Sequence, residues 1–203
     1  MAAAGIRQIV AVAELRGITA AAALGMAGLG LLTVAFPLFA VERLDAARSD
    51  AGYMWAAFAV GSTLGALGLV RIQRRFASQR IVIAGYAIFG TLMLLWPLAG
   101  SLPVMLALIA LAAGADGPAL AAEFAVRQKV VPRALYGRVF TTAAGLKVGS
   151  FALGAGLAGP VAAGLGSEEA LLLAASAQLV AACVGLALMR TPARSLAQAS
   201  SGG

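Results

Sequence analysis

Three ionisable residues, Asp116, Glu123 and Lys147, stand inside long apolar runs of this chain. A charge in such a run is costly unless it meets protein or water, so each is a candidate for chemistry or for a structural ion pair. Asp116 lies ten residues before Val126, where its run ends, or roughly 15 Å at helical rise. Lys147 lies nine residues after Arg138, where the next run begins, or roughly 14 Å. Equal depth on consecutive helices predicts that the two pair or share a water-filled cavity. As a pair they fix helix packing; in a cavity they bind a substrate or a proton. Glu123 follows Asp116 by seven residues, on the same helical face two turns away. It also precedes Arg127 by four, the spacing of a local ion pair near the membrane surface. Gly117-Pro118 directly follows Asp116, and a proline there frees a backbone carbonyl and bends the helix beside the acid.

Other chemistries are excluded by what is missing. The chain has no histidine and a single cysteine, Cys183, set in an apolar run. The commonest metal ligand, general base and pH switch are therefore absent, and there is no disulfide framework or thiolate cluster. Asp116 and Glu123 are too far apart to share one proton, and no nucleophile–base pair is present. The expectation is a protein that is not an enzyme and needs neither metal nor cofactor.

The elements that hold these residues follow from composition. Of 203 residues 62% are hydrophobic and 11% charged, whereas a soluble domain carries about 25% charged residues to face water. Lipid must cover most of this chain. A helix needs about 20 apolar residues to cross the hydrocarbon, and the runs Gly17–Val41, Ala51–Val70, Ile81–Leu98, Pro103–Val126, Val139–Leu165 and Ala170–Met189 meet that length. Backbone groups in lipid must bond within their own segment, which predicts an all-α bundle of six transmembrane helices. Residues 1–16 form a cytoplasmic N-terminal segment, 17–190 the bundle, and 191–203 a disordered cytoplasmic tail.

The net charge of +7 would suggest nucleic acid on a soluble protein; here its location assigns topology instead. The second loop holds Arg71, Arg74, Arg75 and Arg80, and the fourth Arg127, Lys129, Arg133 and Arg138, without an acid in either. The first loop is mixed, the third uncharged, and the fifth has only Glu168 and Glu169. This alternation predicts an N-in, C-in chain in the plasma (inner) membrane. Trp55 and Trp96 then fall near outer helix ends, where an interfacial aromatic belt is expected. Gly61 with Gly65, and Gly145 with Gly149, are spaced for close helix packing. Phe36, Phe39 and Phe58 are read as lipid-facing or packing residues. The partners expected are membrane lipids, with the basic loops on anionic headgroups, and no nucleic acid.

Two passages carry a family resemblance. Gln128-x-x-Val131-Pro132-x4-Gly137-Arg138-Val139 leads into a helix with Gly154, Gly156, Gly159-Pro160 and Gly164. Leu15-Arg16-Gly17 leads into a helix with Phe36-Pro37, an acidic loop, Gly52-Tyr53 and then Gly61, Gly65 and Gly68. Together they resemble the C-terminal six-helix half of a major facilitator superfamily transporter of the drug- and siderophore-exporter type. Arg71, Arg74 and Arg75 fit the basic positions of that family's loop signature, while Val70, Ala66 and Gln73 replace its aspartate and two glycines. Gly159-Pro160 echoes its antiporter motif, with Ala155 and Ala163 in place of glycines. The resemblance implies transport of a small molecule, in the direction of efflux, at a site between two halves near the midplane, with Asp116, Lys147 and Glu123 as substrate or proton residues. Arg71, Arg74, Arg75, Pro118, Gly137, Arg138, Gly159 and Pro160 would serve gating or structure. The second half would come from a homodimer or a complementary six-helix chain. The alternative is a non-transporting membrane scaffold, a regulatory subunit or a truncated transporter remnant.

Overall fold

The computed structural model describes residues 2–73 and 75–190, and every regular element among them is helical. The helices are α1 (Ala2–Ala11), α2 (Ala13–Arg43), α3 (Ala51–Gln73), α4 (Ser78–Met93), α5 (Leu102–Val130), α6 (Tyr136–Leu165) and α7 (Ser167–Arg190). Five segments of the described chain are long and apolar enough to cross a membrane: α2, Ser78–Leu98, α5, Arg133–Leu165 and α7. Five of the six expected runs fall within one helix each, which runs a few residues further because polar end residues continue the same backbone ladder; the run Ile81–Leu98 is α4 only as far as Met93 and then turns into a short helical turn at Trp96–Leu98. The expected N-terminal segment is itself helical, with Gly5 of α1 lying against the Arg138 carbonyl and the Thr142 side chain of α6. The tail from 191 to 203 and Arg74 lie outside the described residues.

The connections are short and locally determined. After α2, left-handed backbone at Asp45 (φ 48°) turns the chain so that the Ala46 N–H donates to the Ala40 carbonyl at 3.0 Å. Between α6 and α7 a single residue, Gly166 (φ 105°), reverses direction, a conformation that a side chain would strain. Arg43 and Glu168 form an ion pair there, and the Ser167 hydroxyl donates to Glu42 at 2.6 Å. These contacts hold the end of α2 to the start of α7.

Without a hydrophobic drive between helices in lipid, association depends on close backbone packing. The sequence supplies it with small residues. α2 lies along α7 and α6, α5 lies along α3 and α4, and α4 joins the two groups through α7. At the α3–α5 crossing an added Cβ on Gly61 would collide with the Ala110 carbonyl, and one on Gly65 with the Gly114 carbonyl. Pro118 has no N–H to offer the Gly114 carbonyl four residues earlier, so the freed oxygen faces the one neighbour that has no side chain. Gly30 and Gly154 make the equivalent close approach between α2 and α6.

Two expectations of packing are corrected. Gly145 and Gly149 meet nothing within 4 Å of an added Cβ, because they lie on the outward face of α6. Trp96 is not an interfacial belt residue: it is fully buried, 5.6 Å from the Phe36 ring and 6.2 Å from Phe89. The turn Trp96–Leu98 folds the indole back into the bundle, where Phe36, Phe39, Phe89, Met54 and Met105 surround one apolar core. Trp55 is half-buried against Phe36 and Phe58.

These contacts make the α3–α5 crossing intolerant of bulk. Gly65→Val should lower stability by about 1–3 kcal/mol, read as a fall in Tm in detergent. Gly68→Ala, placed in open space on α3, should leave Tm unchanged or raise it.

Candidate functional site

Glu123 is the most constrained charged group among the described residues of the bundle. Its side chain is 1% exposed, on the inward face of α5. Carboxylate Oε1 accepts from the Tyr86 hydroxyl of α4 at 2.6 Å. Oε2 accepts from Arg127 Nη1, one turn further along α5, at 3.3 Å and from Lys147 Nζ of α6 at 3.1 Å. One carboxylate thus ties three helices together, and its charge is met by two cations. Breaking such a buried cluster at its centre leaves like charges facing each other in a poor solvent.

Asp116 sits two turns earlier on α5 in a different setting. Its Oδ2 accepts one long hydrogen bond, 3.4 Å, from the Ser62 hydroxyl of α3. No ion pair reaches it among the described residues. Gly117, next to it, presses its backbone on that of Ser62, which brings the serine within reach. The glycine contact therefore places Asp116 against α3, in no ion pair among the described residues.

A cavity of about 250 Å³ joins the two acids. Asp116, Glu123 and Lys147 line it together with the aromatic rings of Trp55, Phe58 and Phe151. Five helices, α2 to α6, contribute to its wall. Lys147 also borders a second hollow of about 320 Å³ between α5 and α6, lined by Arg127, Phe124 and Phe140. The ammonium thus stands between the two spaces. Chemically, the first cavity offers an acceptor at Asp116, aromatic faces that accommodate an apolar body, and a charge cluster at one end.

The three ionisable residues singled out from sequence come together here, although not in the pairing first expected. Asp116 and Lys147 share the cavity, while the lysine's ion pair is with Glu123. Equal Cα depth was a poor guide because the lysine side chain is long and reaches away along the helix. The Glu123–Arg127 pair forms at its expected spacing, yet it is buried rather than superficial because α5 continues to Val130. Tyr86 and Ser62 were missed. A tyrosine in an apolar run could have signalled itself, since its hydroxyl needs a partner when buried; a serine there carries no comparable signal.

The other positions do not converge on the cavity. Pro118 is buried and faces the α4–α5 groove. Gly137 and Arg138 are exposed at the start of α6, and Gly159 and Pro160 at its far end. Arg75 is exposed in the turn before α4; Arg71 lies in α3, and its side chain is outside the described residues, as is all of Arg74.

Comparison with known proteins agrees with this architecture. Residues 2–202 match the profile of a family described as transmembrane secretion effector, of the major facilitator type. The chain is also similar to the multidrug efflux pump Tap of Mycolicibacterium fortuitum, with 27% identity over 158 residues. That alignment takes in 78% of this chain and 38% of the relative's length. No solved structure matches it.

The geometry separates the two acids by role in stability. Glu123→Gln should destabilise the protein by about 3–5 kcal/mol, because Arg127 and Lys147 then lose their counter-charge. Asp116→Asn, which removes a charge in no ion pair among the described residues and keeps an amide oxygen to accept from Ser62, should change stability by less than about 1 kcal/mol. Thermal unfolding of the two variants in the same detergent compares them directly.

Proposed function

We propose, from the premise that this chain belongs to the major facilitator family of transmembrane secretion effectors, that it forms one half of an exporter of small molecules. α3, a helix of 23 residues, is the sixth span beside the five long apolar segments, and both ends of the bundle's chain lie on the cytoplasmic side of the plasma membrane. The acid-free loops at one end of the bundle and the acidic turn at the other support that orientation. The reaction is translocation, with no covalent step.

The observation that carries the reading is the cavity with Asp116 in its wall, an acid in no ion pair among the described residues. An intramembrane carboxylate left in this state is available to a substrate donor or a proton. Export rather than another direction rests on the family description and on the relative's name as a multidrug efflux pump.

The wall around the cavity is unfinished. Only 17% of the most apolar window of α6 is buried within the protein, against 39–44% in the other four segments. Gly145, Gly149, Gly156 and Gly159 leave its outer face nearly flat, which suits close approach by a helix of a second six-helix unit. That unit is another copy or a separate stretch of polypeptide with the same fold.

Asp116→Asn, reconstituted in proteoliposomes, should lose at least roughly tenfold in flux of an exported dye, about 1.4 kcal/mol in the transport barrier, while the assembly remains intact by size-exclusion chromatography. Undiminished flux in Asp116→Asn would remove the residue from the mechanism.

A further inference from the structure

The lipid-facing side of α4 carries an unassigned feature. Tyr86, Phe89 and Met93 point into the bundle, whereas Arg80, Ala84, Ile88 and Thr91 form an exposed stripe on the opposite face. An apolar groove runs along each side of that stripe. One, of about 400 Å³, lies between α4 and α5 and is floored by Gly114, Ala115 and Pro118. The other, of about 290 Å³, lies between α4 and α7, against Leu186 and Met189. Arg80 and Ala84, one helical turn apart, border both grooves.

We propose that one anionic phospholipid sits astride this ridge, its phosphate on Arg80 and one acyl chain in each groove. The Arg80 side chain is exposed and has no ion pair or hydrogen bond among the described residues, and the turn leading to it, from Arg75 to Arg80, contains no acid. Its guanidinium is therefore free to take a phosphate, which it can hold through two parallel hydrogen bonds. Ala84 keeps the ridge low, so that a glycerol backbone can cross it. Ile88 lies eight residues beyond Arg80, roughly 12 Å deeper along the helix, so the grooves run inward from the charge as acyl chains run inward from a headgroup. The linings are almost wholly apolar, which suits a lipid tail and gives nothing to a free anion. The site rests on the membrane placement proposed above for α4, with Arg80 at the basic face where anionic headgroups gather.

The test is native mass spectrometry of the full chain released from nanodiscs with equal parts phosphatidylglycerol and phosphatidylcholine. The wild-type protein should keep a phosphatidylglycerol molecule in preference to phosphatidylcholine. Arg80→Gln should cut that preference about fivefold. Ala84→Leu, which raises the ridge while leaving the arginine in place, should weaken retention of phosphatidylglycerol as well. Arg48→Gln, in the loop at the opposite end of the bundle, should change neither. Equal retention of both lipids by wild type, a preference that survives Arg80→Gln, or full retention in Ala84→Leu would each overturn the proposal. The readout needs no transport, so loss of the exporter reading through Asp116 and loss of this site are separate results.

Discussion

The bundle turns on a single buried carboxylate. Glu123 accepts from Tyr86 on α4, Arg127 on α5 and Lys147 on α6, and these helices have little else polar with which to recognise one another. In lipid a misplaced charge has no water to retreat to, so the donors and the acceptor must find each other for the helices to pack. The hydrogen bond from Gln178 to the Gly25 carbonyl, 2.9 Å, plays a lesser part of the same kind between α7 and α2. Around these polar contacts the small residues set the spacing. Gly61 and Gly65 on α3 admit the backbone of α5, and Gly30 and Gly154 bring α2 and α6 together.

That arrangement divides the intramembrane charges into two kinds. Glu123 and its donors are occupied with one another and hold the wall of the cavity. Asp116, two turns away, has one long contact to Ser62 and is otherwise free. The Gly117-Pro118 step produces this difference. It presses α5 on α3 at Ser62 and sends the Gly114 carbonyl toward Gly65, so the acid beside it is held at the wall, in no ion pair among the described residues. Lys147, between the cavity and the second hollow, is where a change at Asp116 could be felt by the Glu123 cluster. The aromatic rings of Trp55, Phe58 and Phe151 complete a surface for an apolar body.

Much of this was legible in the sequence because the bilayer imposes simple rules. Apolar runs of spanning length had to become helices, and Asp116, Glu123 and Lys147 stood out because charge is rare in such runs. The partners were less legible. Pairing depends on side-chain reach and helix rotation, and a one-dimensional depth count placed Lys147 opposite Asp116 when its ammonium lies on Glu123. Tyr86 and Ser62 entered the site from α4 and α3, whose order around the cavity no local spacing encodes. Glycines at four-residue spacing proved ambiguous for a related reason. The same pattern packs tightly in α3 and faces outward in α6, and only the neighbour decides which. Trp96 misled because an aromatic at a helix end fits the interface and a folded-back turn equally well.

In the function proposed here, the outward glycines of α6 and the cavity behind them form one wall of a larger assembly. Native mass spectrometry of the protein released intact from lipid nanodiscs tests that claim most directly, by counting six-helix units in each particle. Two units per particle are expected, as a dimer or as a complex with a second six-helix chain. A single unit in every particle, stable and with the α6 face in contact with lipid alone, would contradict it.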